Sequence, residues 1–105
     1  MAASDISNLE ELIMTALLNH ELYGLQITKA IEEVSNGKRK IGVGSLYPKL
    51  HKLEKKGYIK SHWGEDRPEE RNGARRKYYK LTGLGSDALD EAQELRTNIA
   101  NWQPA

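Results

Sequence analysis

The chain has 105 residues, 38% of them hydrophobic and 30% charged, with no cysteine and no phenylalanine. That length fits one domain and leaves no room for a second catalytic lobe, and the lack of cysteine excludes disulfides, thiolate nucleophiles and thiolate metal sites. The formal net charge of +1 hides a segregation, since residues 1–37 sum to −5, residues 38–80 to +9 and residues 81–105 to −3, the pattern of a chain whose middle meets a polyanion.

Ser7-Asn8-Leu9-Glu10 has the form of a capping box, in which a hydroxyl and a carboxylate exchange hydrogen bonds with a helix's first turn. Leu9, Leu12, Ile13, Ala16 and Leu17 share one helical stripe and predict a first helix over residues 8–19. After a connection at 19–24, Ile27, Ala30, Ile31 and Val34 repeat the pattern, and Asn36-Gly37 stops a second helix near Ser35. Residues 38–44 are punctuated by glycine, with only Ile41 and Val43 alternating, which fits a brief strand or a loop. Ser45 is placed to cap a third helix that turns Leu46, Leu50 and Leu53 inward and ends at Lys55-Lys56-Gly57. Pro48 then falls in its first turn, where a missing N–H forfeits no intrahelical bond. Residues 58–63 and 77–81 alternate as two antiparallel strands, and the polar segment between them carries Pro68 and the turn signal Asn72-Gly73. A last helix, from about Leu84 to near Pro104, spaces Leu84, Ala88, Ala92, Leu95, Ile99 and Trp102 by threes and fours.

This order reads as a mainly α chain with a small β-wing. A winged helix-turn-helix DNA-binding domain occupies residues 1–82, and a C-terminal dimerisation helix occupies residues 83–105, in one unit. On a helical wheel the third helix sets its leucines on one side and Pro48, His51, Lys52 and Lys55 on the other, flanked by Ser45, Lys49 and Lys56. A helix of that shape and charge suits a major groove. The candidate DNA contacts are therefore Ser45, Tyr47, Lys49, His51, Lys52 and Lys55, with Tyr47 on the flank and equally placed to pack. In the wing Arg75, Arg76 and Lys77 open the returning strand and suit phosphates. They rank ahead of Arg67 and Arg71, which Glu65, Asp66, Glu69 and Glu70 can pair. On the last helix Leu84 and Ala88 are expected to pack within the chain, leaving Ala92, Leu95, Ile99 and Trp102 as a seam for a second copy.

Catalysis finds no support. His20, His51 and His62 share no spacing that makes a metal or base site, and Gly42-x-Gly44 is too short for a phosphate-binding fingerprint. The acid pairs Glu10-Glu11, Glu32-Glu33 and Asp90-Glu91 diverge by about 100° on their helices and read as solvated faces. The chain is read as no enzyme and as needing no cofactor. No apolar run nears the roughly 20 residues of a membrane span and no signal-peptide pattern opens the chain, so a cytoplasmic location without a membrane partner is expected. Two other readings use the same fold: a protein-interaction module, and a binder of RNA or unusual duplexes.

Four segments together, Leu22-Tyr23-Gly24, Gly44-Ser-Leu-Tyr-Pro-Lys-Leu50, Leu53-Glu-Lys-Lys-Gly-Tyr-Ile59 and Arg76-Lys-Tyr-Tyr-Lys-Leu-Thr82, resemble the PadR-like transcriptional regulators over about residues 9–102. The resemblance is to the branch with a single C-terminal helix, and there is similarity to the period-extender repressors of circadian clock genes. It implies a homodimeric winged-helix protein, usually a repressor, that reads an inverted repeat in double-stranded promoter DNA, with an unidentified small-molecule effector as a further partner of the kind such proteins use. Arg96 stands where multidrug-sensing relatives place a tryptophan in the drug pore, which argues against an aromatic drug pocket, and the wing is a few residues longer than theirs.

Overall fold

A computed structural model describes residues 6–64 and 76–105. The first helix, α1 (Asn8–Ala16), starts with the expected capping box: Ser7 Oγ accepts from the Glu10 amide at 3.1 Å, and Glu10 Oε1 accepts from the Ser7 amide at 2.8 Å. It ends before residue 19, because the amides of Leu17 and Leu18 tighten onto the carbonyls of Met14 and Thr15. The connection that follows contains a strand, β1 (Leu22–Tyr23). α2 (Gly24–Val34) closes at Ser35, and Asn36 and Gly37 take φ of 56° and 79°, the left-handed exit that asparagine and glycine permit.

Residues 38–42 form no strand, and α3 (Val43–Lys55) begins two residues before Ser45. Gly42, not Ser45, is its cap, and the Gly42 carbonyl accepts from the Ser45 and Leu46 amides at 3.0 Å each. Pro48 therefore lies inside the helix rather than in its first turn. The bond it forfeits is the one to the Gly44 carbonyl, and Gly44 is exposed, so water can satisfy that oxygen. β2 (Ile59–Trp63) and β3 (Lys77–Leu81) pair antiparallel, with Ile59 opposite Leu81, Ser61 opposite Tyr79 and Trp63 opposite Lys77. β1 pairs on the far side of β3, Leu22 opposite Tyr79, so the sheet runs β1-β3-β2 and ties the helix-turn-helix to the wing.

α4 (Gly83–Ala100) is capped by Thr82, whose hydroxyl accepts from the Gly85 amide at 3.0 Å and donates to the Gly57 carbonyl at 2.6 Å. It stops at Ala100, short of Pro104. Gly85 lets the helix press onto the backbone just before β2, since a Cβ there would collide with the Tyr58 carbonyl. The core joins Ile13, Met14 and Leu17 of α1, Ile27 of α2, the Leu46, Leu50 and Leu53 stripe of α3, Ile59 and Tyr79 of the sheet, and Ala88 and Leu89 of α4. Two expectations fail here. Leu84 is half exposed while Leu89, outside the expected stripe, is buried, because the Gly85 contact turns that face inward. Glu10 and Glu11 are buried rather than solvated, because each meets a cation from another helix.

Candidate nucleic-acid interface

The early start of α3 changes what its N-terminal end presents. Val43, Gly44 and Ser45 form an exposed first turn, and Pro48 and His51 continue the surface. Val43 was absent from the residues expected at the interface, because residues 40–44 look like alternating strand. An exposed valine in the first turn of such a helix offers an apolar contact of the kind that discriminates the thymine methyl group. Lys49 is half-buried and Lys55 exposed, and neither has an ion-pair partner among the described residues. Lys52 differs. Its ammonium lies 3.9 Å from Glu10 Oε2, a carboxylate oxygen buried without a hydrogen bond. It is a surface cation that also answers a buried charge.

Beside α3 a cleft of about 450 Å³ is lined by Tyr23, Gly24, Leu25, Tyr47, Trp63, Arg76, Lys77 and Tyr79. Three segments that are distant in sequence build it: the start of α2, one flank of α3, and the edge of the wing. The structure thus brings Tyr47 together with Arg76 and Lys77, while Arg75 lies outside the described residues. Tyr47 is partly exposed, and its hydroxyl sits against Gly24, where any larger residue would displace it. The Arg76 guanidinium lies over the Tyr23 ring, 4.4 Å from its centroid, and the Lys77 ammonium is 5.7 Å from the Trp63 centroid. These contacts set both cations against the aromatic wall of the cleft. At the start of α2 the Gln26 side chain reaches back to accept from the Tyr23 amide at 3.1 Å, and Gly24 and Leu25 carry that helix end to the cleft wall. Cations beside a helix N-terminus favour an anion such as phosphate.

The outer edge of the sheet has its own network. His62 stacks on Tyr78 at 5.9 Å, and Tyr78 meets Tyr23 edge-on at 5.5 Å. His62 Nε2 bonds Glu21 Oε1 at 2.6 Å, and Lys80 stands 3.9 Å from the other Glu21 oxygen. The bond to Glu21 raises the His62 pKa above its usual value, and the same bond lowers that of Glu21. His62 is thus a strand residue engaged in packing the wing against β1. Among the described residues no cluster of His, Asp or Glu could hold a metal ion, and no helix is long and apolar enough to cross a membrane.

Leu95 and Ile99 of α4 and Trp102 just past its end are 50%, 65% and 70% exposed, whereas Ala92 is already covered by its own chain. Arg96 forks onto Glu11 of α1, with contacts of 2.6 and 2.7 Å to the two carboxylate oxygens. The position that departs from the drug-sensing pattern therefore holds a charge paired within the chain. A second cleft, apolar and of about 500 Å³, opens between α1 and α2, with Leu12, Leu18, Ala30 and Val34 among its walls.

Known proteins match this arrangement. The model of the transcriptional regulator PadR-like family matches residues 13–91. An uncharacterised protein of Lysinibacillus sphaericus is 33% identical over 93 residues, covering 87% of this chain and 82% of that one. A PadR-like transcription factor from Bacteroides fragilis superposes with a TM-score of 0.76 at 30% identity, over 88% of this chain and 82% of its own. A PadR family transcription regulator from Clostridium difficile superposes with a TM-score of 0.71 at 29% identity, over 90% and 92%.

Proposed function

The chain belongs to the PadR-like family of transcriptional regulators, and from that premise we propose that it works as a dimeric repressor seated on an inverted-repeat operator in promoter DNA. The observation that carries this reading is the convergence of α3, the start of α2 and the returning wing strand on one basic, aromatic-lined cleft. In this reading α3 enters the major groove by its first turns, with Ser45, Tyr47 and His51 near the bases and Lys49, Lys52 and Lys55 toward the backbone. Arg76 and Lys77, with Arg75 beside them in sequence, neutralise the flanking phosphates. Residues 1–82 are the reader and residues 83–105 the dimerisation helix. Leu95, Ile99 and Trp102 are the natural seam, because a helix end that exposes three large apolar residues within eight positions is stabilised by a partner. Two-fold pairing sets two recognition helices about 34 Å apart, one helical turn of DNA. Repression follows from occupying the promoter, in the cytoplasm where that DNA lies.

Competition tests the reading. Duplex containing an inverted repeat should outcompete both random duplex and structured RNA. Preference for RNA, or failure of every nucleic acid to bind, would instead favour an RNA binder or a protein-interaction module. Replacing Leu95 and Ile99 with Asp should give a monomer on sedimentation that loses operator binding with α3 untouched. An unaltered protein sedimenting near 11.9 kDa at micromolar concentration would remove the dimer from the proposal.

A further inference from the structure

Two adjacent carboxylates at the start of α1 reach two different helices. Glu10 closes the capping box on the Ser7 amide and turns its other oxygen toward Lys52 of α3. Glu11, about 100° further round the same turn, takes both nitrogens of the Arg96 fork from α4. Both glutamates are buried, and Glu11 retains only 7% of its exposure. A two-point bond between planar groups fixes direction as well as distance, which a lysine in the same place does not.

The position of Arg96 on its helix gives that fork its consequence. Gly85, Ala88, Leu89 and Ala92 are the α4 residues buried in the chain's own core, and every residue from 93 onward is exposed. Arg96 continues the buried face by one more turn, so among the described contacts it is the last tie between α4 and the rest of the molecule. The exposed apolar residues Leu84, Leu95 and Ile99 are centred roughly 70° away from that face, and Trp102 follows just past the helix end. Arg96 itself stands about 100° round the helix from Leu95 and about 60° from Ile99, so the fork sets how the seam is presented.

We propose that the Glu11–Arg96 fork is a specificity determinant: it fixes the angle at which the dimerisation helix leaves the DNA-reading body and thereby selects the spacing between the two operator half-sites. The inference rests on the dimeric, inverted-repeat reading given above. Its scale is set by leverage. Recognition helices about 34 Å apart lie about 17 Å from the two-fold axis, so a tilt of about 10° in α4 moves each by about 3 Å, close to the rise of one base pair. Glu10 and Lys52 complete the linkage, because the helix that receives Arg96 is the one that also steadies α3. Arg96 and Glu11 act here as positioning residues and touch no base.

The test begins with selection of bound sequences from random duplex DNA by the unaltered protein, followed by affinity measurements on duplexes that carry the selected half-sites at spacers changed one base pair at a time. The unaltered protein should prefer one spacer over its neighbours by about tenfold, because each base pair adds a twist of ~35° that only deformation can absorb. Arg96→Lys keeps the charge and loses the fork. It should remain dimeric by sedimentation and select the same half-site, yet discriminate neighbouring spacers by less than about threefold or move to a new optimum. Arg96→Met, checked for folding by circular dichroism, should do the same. A spacer profile unchanged in both variants, or an even loss of affinity at all spacers, overturns the inference, since a merely structural residue has no reason to alter spacing. Broadening with Arg96→Met but not with Arg96→Lys also overturns it, because charge alone would then suffice. An unaltered protein that selects a lone half-site or sediments as a monomer overturns the dimeric reading and this inference together.

Discussion

Removing Lys52 should separate two roles that the other α3 lysines do not combine. Glu10 Oε2 is buried with no hydrogen bond, and the Lys52 ammonium 3.9 Å away is the cation paired with it. Breaking a fully buried ion pair costs about 3–5 kcal/mol, and an exposed pair contributes about 0–1 kcal/mol. Here one partner is inaccessible and the other 58% exposed, so Lys52→Ala should destabilise the fold by about 1–2 kcal/mol. For a domain of this size that lowers Tm by roughly 5–10 °C. Lys55→Ala removes the same charge from the same helix without touching a buried group, and should alter stability by less than about 0.5 kcal/mol. Each variant should flatten the salt dependence of DNA affinity by about 0.9 units if its lysine neutralises one phosphate. Thermal unfolding by circular dichroism, run beside binding titrations at several salt concentrations, measures both effects. In a Glu10→Gln background the Tm cost of Lys52→Ala should largely vanish, as expected for a coupled pair. Equal Tm for Lys52→Ala and Lys55→Ala would refute the argument.

In the wing, Arg76→Ala with Lys77→Ala should reduce the slope of log affinity against log salt by up to about two units while leaving sequence preference intact; an unchanged slope would detach the cleft from the DNA. Gly85→Ala should cost about 1–3 kcal/mol in urea unfolding, because its methyl group meets the backbone carbonyl of Tyr58 rather than a side chain that can swing away, and stability equal to the parent would contradict that contact. The His62–Glu21 bond gives a pH dependence whose sign follows from both shifts. The histidine's contribution is full below its ordinary 6.5 and is lost as pH rises through its elevated folded value; the glutamate's is full above its ordinary 4.5 and is lost as pH falls through its depressed one. The tie between β1 and the wing should be strongest between those limits, and NMR titration of His62 should show its pKa dropping toward 6.5 in Glu21→Gln, with no movement counting against the bond.

The order of the four helices and the two wing strands was legible from the chain alone because each long element carries its own signal: the Ser7 and Glu10 box, the Leu46, Leu50 and Leu53 stripe, and the alternation of β2 and β3. The buried side of α3, the charge of its outer side and the resemblance to PadR-like regulators needed nothing beyond residue type and spacing. β1 was not legible, since two residues have no periodicity and become a strand only where β3 supplies the partner. The start of α3 was misplaced because serine and glycine both make acceptable caps, and the ladder begins at the Gly42 carbonyl, which accepts from the Ser45 and Leu46 amides. Glu10 and Glu11 looked solvated because periodicity reports which face an acid lies on, whereas burial depends on whether another helix brings a cation to it. Tyr47, Arg76 and Lys77 were each named from sequence, but their meeting with the start of α2 around one cleft is a product of the sheet that joins the wing to the helix-turn-helix. Local pattern fixed the elements and their inward faces; long-range contacts, whose cost and gain are set only when distant segments meet, decided where the charges converge.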